Sequence, residues 1–170
     1  MENKLIATNT DLIGINQTVK SFDLDLVNKN ILILGSGGTS KTIQYMFSEN
    51  NEIYVASRQR SENTIQYSEV DNIANEVDVL INTTPIGMPP YSDQILPISH
   101  KKFKNLQVFF SLGYRSKIFT TNSFENSVLY IDGLTMLIAQ AVASFNIWTS
   151  KEVIFDDVFN KIKERLSNEN

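Results

Sequence analysis

The sequence has 170 residues and no cysteine, which excludes disulfides, thiolate nucleophiles and cysteine-ligated metals. Its formal net charge of −4 argues against nucleic acid as the main partner. The length fits a single domain over residues 1–170, and the absence of a signal-peptide core or membrane-spanning run makes the cytoplasm the expected location.

Short apolar blocks alternate with segments of helical spacing along the chain. The predicted strands are 31–34, 53–57, 77–82, 106–110 and 128–131, with a further short strand or turn at 67–70. The predicted helices are 13–22 (capped by Thr8 or Thr10), 39–51, 70–75, 118–124, 134–148 and 152–166. This alternation predicts an α/β, Rossmann-like three-layer domain with a mainly parallel sheet and helices on both faces.

A glycine-rich turn follows the first strand. Three of the four positions after Leu34 are glycine, and a small serine replaces the third glycine of the pattern G-x-G-x-x-G. A strand, a glycine turn and a helix let backbone N–H groups hold a phosphate, although such a turn can also be only a turn. The predicted phosphate-binding residues are Gly35, Ser36, Gly37, Gly38, Thr39 and Ser40.

The end of the second strand indicates which dinucleotide would bind. An NAD site usually has Asp or Glu about twenty residues after the first glycine, whereas this chain has Ser57, Arg58 and Arg60. A guanidinium can pair with a 2′-phosphate and stack on adenine, so the pattern favours NADP. The alternative is that both arginines are solvated loop residues.

A second loop of small and hydroxyl residues follows the strand 77–82. Thr83, Thr84 and Pro85 are predicted to lie against the cofactor, because ligands of open α/β sheets bind outside the carboxyl ends of the strands. The alternative is an ordinary proline–glycine loop. The lone histidine, His100, lies in a lysine-rich stretch and is expected to be a solvated residue rather than a catalytic base.

Together these blocks resemble the C-terminal, NADP-binding half of shikimate dehydrogenases, over nearly the whole chain. The matching blocks are Asn9-Thr10-Asp11, the turn 35–40, Ser57-Arg58, residues 82–88, Tyr114 and the run 132–141. The resemblance implies reversible NADP-dependent reduction of 3-dehydroshikimate to shikimate, a step of aromatic amino acid biosynthesis. It also implies that the C-terminal helices, 133–168, pack toward a substrate domain.

The resemblance also assigns roles to residues whose spacing alone says little. It implies that Asp11 is catalytic, that Asn9, Asp11, Tyr114 and Gln140 bind substrate, and that Leu112 and Gly133 bind the cofactor. From the residues alone, Asp11 could be a helix cap, Tyr114 a core aromatic and Gln140 a surface amide. No metal site is expected.

The sequence departs from the family pattern at several positions. Leu12 stands in place of a glycine, and Ser111 in place of an aspartate. Glu62 falls near the position where the family commonly has a second phosphate-binding basic residue, a role for which Arg60 is the alternative. The catalytic lysine lies in the family's N-terminal substrate domain and has no match here, so the isolated chain is expected to be inactive and to bind shikimate or 3-dehydroshikimate only when that domain is supplied.

Two alternatives remain. One is a non-catalytic module that binds NADP or a partner protein, and the other is an oxidoreductase of a related α/β family with a different small substrate. A homodimer is also expected, through apolar surface near Asn9 and the last two helices.

Overall fold

The computed structural model describes residues 7–114, 124 and 127–168. The chain divides into two compact units, one formed by Met1–Leu24 with Thr135–Asn170 and the other by Asp25–Leu134. We call them the helical unit and the sheet unit and describe each by itself. The sequence expectation of a single domain over 1–170 stays a prediction.

The sheet unit contains a six-stranded sheet in which every pairing is parallel. Its strands are β1 (Asn30–Leu34), β2 (Glu52–Ser57), β3 (Ile65–Gln66), β4 (Val79–Asn82), β5 (Val108–Ser111) and β6 (Leu129–Ile131). Their order is β3-β2-β1-β4-β5-β6. β4 and β5 are buried throughout, as expected for parallel strands covered on both faces. The predicted α/β fold is confirmed.

The connections in the sheet unit include one α-helix, α2 (Gly38–Phe47), and short 3-10 helices at Tyr67–Asn72, Ala74–Glu76 and His100–Lys102. The short helix predicted over 70–75 is therefore two 3-10 turns. The third strand lies before residue 67, because Gln66 and Glu69 form a capping box that starts the first turn at Tyr67. Leu80 and Phe109 are fully buried in the main apolar cluster of this unit. The helix predicted over 118–124 lies outside the described residues, apart from Phe124.

The helical unit contains α1 (Thr10–Ser21), α4 (Phe155–Asn168) and α3 (Leu134–Thr149) from Thr135 onward. α1 is capped by Asn9, whose side chain accepts a hydrogen bond from the Asp11 N–H at 2.9 Å; the predicted threonine cap was wrong. Asn16 on α1 is exposed, whereas Gly14 is buried against α3.

The last helix begins three residues later than predicted. The Asn146 side chain bonds both the N–H and the C=O of Val153, at 2.9 and 3.0 Å, and so holds the preceding segment out of the helix. Several apolar side chains of this unit are exposed, including Leu137, Phe145, Ile147, Trp148 and Ile154. Self-association through them stays a prediction.

Within the described part of the chain, no helix has both the length and the apolar character needed to cross a membrane. Among the same residues, no three His, Cys, Asp or Glu side chains lie close enough together to hold a metal ion.

Candidate functional site

The carboxyl ends of β1 and β4 meet at the centre of the sheet. β1 lies between β2 and β4. After β1 the chain forms β2 and β3 on one side of it, and it then crosses to form β4, β5 and β6 on the other side. Ligands of open α/β sheets bind in the crevice at such a reversal. The Thr83 N–H and hydroxyl both donate to the Leu34 carbonyl, at 2.9 and 2.8 Å, which closes the floor of the crevice.

The glycine turn packs against this floor at Gly35 and is open to solvent at Gly37 and Gly38. Gly35 has φ +105°, and a Cβ placed there would lie 2.6 Å from Thr83 Oγ1. Only glycine fits at that position without strain. A Cβ on Gly37 or Gly38 would meet nothing within 4 Å, so these glycines keep free the space in front of the N-terminus of α2.

A cleft of about 800 Å³ extends over this turn; we call it the strand-end cleft. Eight of the predicted cofactor residues line it: Gly35, Ser36, Gly37, Ser57, Arg58, Thr83, Thr84 and Pro85. Its remaining wall consists of Gln66, Tyr67, Ser68, Ile86, Tyr91, Gln94, Ile95, Leu96 and Pro97. The structure therefore brings the ends of β1, β2 and β4 to one cavity.

Three predicted phosphate-turn residues do not line this cleft. Gly38, Thr39 and Ser40 form the first turn of α2, and Ser40 is fully buried. The Ser40 hydroxyl lies 3.2 Å from Gln44 Nε2, which donates to it. The serine that replaces the third glycine of the pattern is therefore small enough to be buried within α2.

The loop after β2 is fixed by its own hydroxyl groups. The Ser57 hydroxyl donates to the Gln59 carbonyl, and Thr64 Oγ1 accepts from the Ser61 N–H at 2.9 Å. These bonds close residues 57–64 into a compact turn that leaves Arg58 exposed at the rim of the cleft. Ser57 therefore acts on the cleft by shaping this turn.

The two predicted arginines have different surroundings. Arg60 Nη1 forms a salt bridge with Glu69 Oε1 at 2.9 Å, where the side chains are 67% and 31% exposed. Glu69 Oε2 also accepts from the Gln66 N–H at 2.8 Å, so Glu69 is held by two partners. No salt bridge is seen for Arg58 within the described ranges. Arg58 is therefore the more available cation of the pair.

A second cleft, of about 880 Å³, shares Ser36, Ser57 and Arg58 with the first; we call it the basic cleft. It is lined by Ser36, Lys41, Gln44, Val55, Ser57, Arg58, Gln59, Arg60, Ser61, Asn63 and Thr64. Three of these side chains are cationic, and none of the described lining residues is acidic. The basic cleft therefore has the charge needed for a phosphate group.

The Asn82 side chain organises the loop after β4. It is fully buried, and its Oδ1 accepts from the Thr84 N–H at 3.0 Å and from the Thr84 hydroxyl at 2.7 Å. Its Nδ2 donates to the buried Ser111 hydroxyl at 3.4 Å, which ties β4 to β5. This network turns Thr83 and Pro85 toward the strand-end cleft.

Leu112 and Gly133 lie together but outside both clefts. A Cβ on Gly133 would overlap the Leu112 carbonyl oxygen, and the Leu112 N–H donates to the Asn82 carbonyl at 3.0 Å. Glycine is thus required where the loops after β5 and β6 meet. Tyr114 follows this contact and is half-buried; it lines neither cleft.

The other predicted substrate residues come together in the helical unit. Gln140 Nε2, on α3, donates a short hydrogen bond to Asp11 Oδ1, on α1. The helices approach closely because residue 14 is glycine: a Cβ there would lie 2.8 Å from Met136 Cγ and 2.9 Å from Gln140 Cγ. Asn9 stands at the same helix end as the cap of α1.

Burial raises the pKa of the Tyr67 phenol above its ordinary value, and the nearby positive charge of Arg58 opposes that shift in part. Tyr67 is therefore a neutral hydroxyl in the wall of the strand-end cleft at physiological pH. Burial, reinforced by Asp132, likewise raises the pKa of Tyr130 on β6.

Sequence reasoning missed two parts of the clefts. Lys41 carried a usable signal, since it is a cation directly after the glycine-rich segment 35–40, in the first turn of α2. No sequence signal pointed to the wall formed by Tyr91, Ile95 and Pro97, because a long proline-containing loop has no periodicity from which its path could be inferred.

Comparisons with known proteins agree with this arrangement. A family model described as the shikimate 5′-dehydrogenase C-terminal domain matches residues 133–153. A shikimate dehydrogenase (NADP(+)) of Methanococcus maripaludis is 32% identical over 166 residues, which cover 88% of this chain and 60% of that protein. One from Clostridium botulinum is 34% identical over 160 residues, covering 86% of this chain and 61% of that protein.

The chain belongs to the shikimate dehydrogenase family. The crystal structure of shikimate dehydrogenase 1 from Peptoclostridium difficile is 30% identical, with a TM-score of 0.78 over 97% of this chain and 65% of that one. A shikimate dehydrogenase solved in complex with NADP+ is 25% identical, with a TM-score of 0.75 over 97% of this chain and 64% of that one. The predicted family and fold are confirmed.

The chain spans about three fifths of the length of the curated relatives named above, 60% of the Methanococcus maripaludis protein and 61% of the Clostridium botulinum protein. The match falls on the C-terminal part of these relatives.

Proposed function

We propose that this chain is the NADP-binding part of a shikimate dehydrogenase. The observation that carries the proposal is the position of Arg58, exposed between the strand-end cleft and the basic cleft and next to an open glycine turn. A diphosphate would lie at Gly37 and the N-terminus of α2, and the 2′-phosphate would lie beside Arg58. The names of the NADP(+)-dependent relatives support the same cofactor.

The residues present fit the cofactor. The glycines at 37 and 38 leave open space at the N-terminus of α2, where a diphosphate would lie. None of the described residues that line the basic cleft carries a carboxylate. A 2′-phosphate would therefore meet no repulsion from the lining side chains. Leu112 and Gly133, at the ends of β5 and β6, would lie on the nicotinamide side.

The proposed reaction is the reversible reduction of 3-dehydroshikimate to shikimate. Bound NADPH would supply the hydride that a carbonyl carbon accepts. Asp11, with a lysine that the resemblance assigns to the substrate domain, would hold the proton that the carbonyl oxygen takes up. The Gln140 amide donates a hydrogen bond to the Asp11 carboxylate, and the family resemblance assigns substrate contacts to Asn9 and to Tyr114 as well.

Isothermal titration of the 170-residue chain with NADP and with NAD tests the cofactor. We expect binding of both, with NADP the tighter, and binding of neither would overturn the proposal.

Turnover is measured separately with shikimate and NADP, with and without a separately produced substrate-domain polypeptide from a related enzyme. We propose that turnover requires that polypeptide and that the protein works in the cytoplasm.

A non-catalytic module that binds NADP or a partner protein is the second candidate. The buried position of Ser111 favours it, because the hydroxyl bonds Asn82 inside the sheet unit where the family pattern has a carboxylate. Cofactor binding that persists with no turnover in the presence of a competent substrate domain would support this alternative.

A further inference from the structure

The basic cleft holds three cations, and they are not equivalent. Lys41 comes from the first turns of α2, whereas Arg58 and Arg60 come from the loop after β2. We propose that Lys41, and not Arg60, supplies the second positive charge that distinguishes NADP from NAD. This inference rests on the proposed function and names a specificity-determining residue for it.

Arg60 is the less suitable cation because its charge is already matched. It pairs with Glu69 at 2.9 Å, and Glu69 is fixed in turn by the Gln66 N–H. Using Arg60 for a phosphate would leave the Glu69 carboxylate without its counter-ion beside a new dianion. Like charges placed close together are unfavourable, so this arrangement opposes phosphate binding.

Lys41 has the opposite properties. Its side chain is exposed, and no salt bridge engages it within the described ranges. Its backbone is fixed, since the Lys41 N–H donates to the Gly37 carbonyl at 3.2 Å. The basic cleft also contains Ser36 and Arg58, so Lys41 faces the cleft from α2 while Arg58 faces it from the loop after β2.

Titrations of NADP and NAD with the parent chain and four variants test the proposal. The variants are Lys41→Ala, Lys41→Arg, Arg60→Ala and, as a matched control at an exposed lysine outside both clefts, Lys101→Ala. We expect Lys41→Ala to weaken NADP about three- to tenfold and NAD less than twofold. Lys41→Arg should retain most of the preference, and Arg60→Ala should change it less than Lys41→Ala does.

Each other outcome contradicts the inference in a recognisable way. Equal weakening of NADP and NAD by Lys41→Ala, or a larger loss of preference in Arg60→Ala, would overturn it while leaving the proposed function intact. A parent chain that binds NADP and NAD equally would also overturn it. A parent chain that binds neither would overturn the proposed function as well. The nucleotides 2′,5′-ADP and 5′-AMP serve as probes that differ at the 2′-phosphate, and the Lys41 effect should appear on the first alone.

Discussion

Gln140 and Asp11 are 129 positions apart in the sequence and are joined by a short hydrogen bond from the Gln140 amide to the Asp11 carboxylate. Both residues resemble substrate-binding positions of the family, and the structure shows them in contact within the helical unit. The fold therefore joins α1 to α3 through two side chains that the family resemblance assigns to substrate binding.

A double-mutant cycle measures this contact. We expect Asp11→Ala and Gln140→Ala each to lower the free energy of unfolding, with a coupling energy of about 1 kcal/mol, because a hydrogen bond to a charged group on a partly exposed surface is worth about that much. Chemical denaturation of the parent, the two single variants and the double variant gives the value. A coupling energy near zero would mean that the contact does not persist in solution.

The close approach of α1 and α3 depends on Gly14. Gly14→Ala should lower the free energy of unfolding by about 1 kcal/mol, because the overlap with Met136 and Gln140 exceeds the gain in helix propensity. Thermal unfolding measures the change as a shift of about 2–4 °C. The matched control is Asn16→Ala, at an exposed position of the same helix, where no loss is expected.

Two glycines of the phosphate turn should respond differently to alanine. Gly35→Ala should destabilise the fold by about 1–3 kcal/mol, because the residue has a positive φ and its Cβ would overlap the Thr83 hydroxyl. Gly38→Ala meets open space and should leave stability unchanged or slightly higher, yet weaken NADP and NAD alike. Thermal unfolding and calorimetric titration of both variants separate the effects. Unimpaired binding by Gly38→Ala would place the diphosphate elsewhere.

Arg58→Ala should weaken NADP about tenfold to a hundredfold and NAD far less. A charge-assisted contact of a guanidinium with a phosphate is worth roughly 1.5–3 kcal/mol, and NAD lacks that phosphate. Titration of both cofactors against the variant checks this difference. The same loss for both cofactors would mean that Arg58 does not contact the 2′-phosphate.

Stability should fall at high pH through Tyr67, which is buried, and Tyr130, which is half-buried. Burial raises the pKa of Tyr67 and of Tyr130 above the ordinary value of 10.0. Above that value the unfolded chain releases the phenolic protons while the folded chain retains them, so the contribution is complete below pH 10 and is lost as the pH rises through the folded pKa.

The Tyr67→Phe, Tyr130→Phe double variant tests this sign. Its free energy of unfolding, measured by denaturant at pH 8 and pH 11, should fall less between the two values than that of the parent. An equal fall in both proteins would assign the alkaline loss to other groups.

The local sequence was sufficient for five of the six strands because their signals are local, whereas β3 lies before the predicted segment 67–70. Four aliphatic residues before Gly35 predict a buried strand and a tight turn, and Ser57 with Arg58 predicts a basic strand end. Parallel topology follows from alternating strands and helices, since parallel strands need a crossover. Family resemblance added Asp11, Tyr114 and Gln140, which periodicity alone leaves ambiguous.

Only the tertiary structure decided how the charges are distributed. The sequence places Arg58 and Arg60 side by side as equals, but the fold brings Glu69 to Arg60 and places Lys41 beside Arg58 in the basic cleft. Likewise, nothing in the sequence around Gly14 indicates that this glycine allows Gln140 to approach Asp11. Strand and turn formation depend on neighbouring residues, whereas electrostatic pairing and helix contacts depend on distances in space, which the folded chain alone sets.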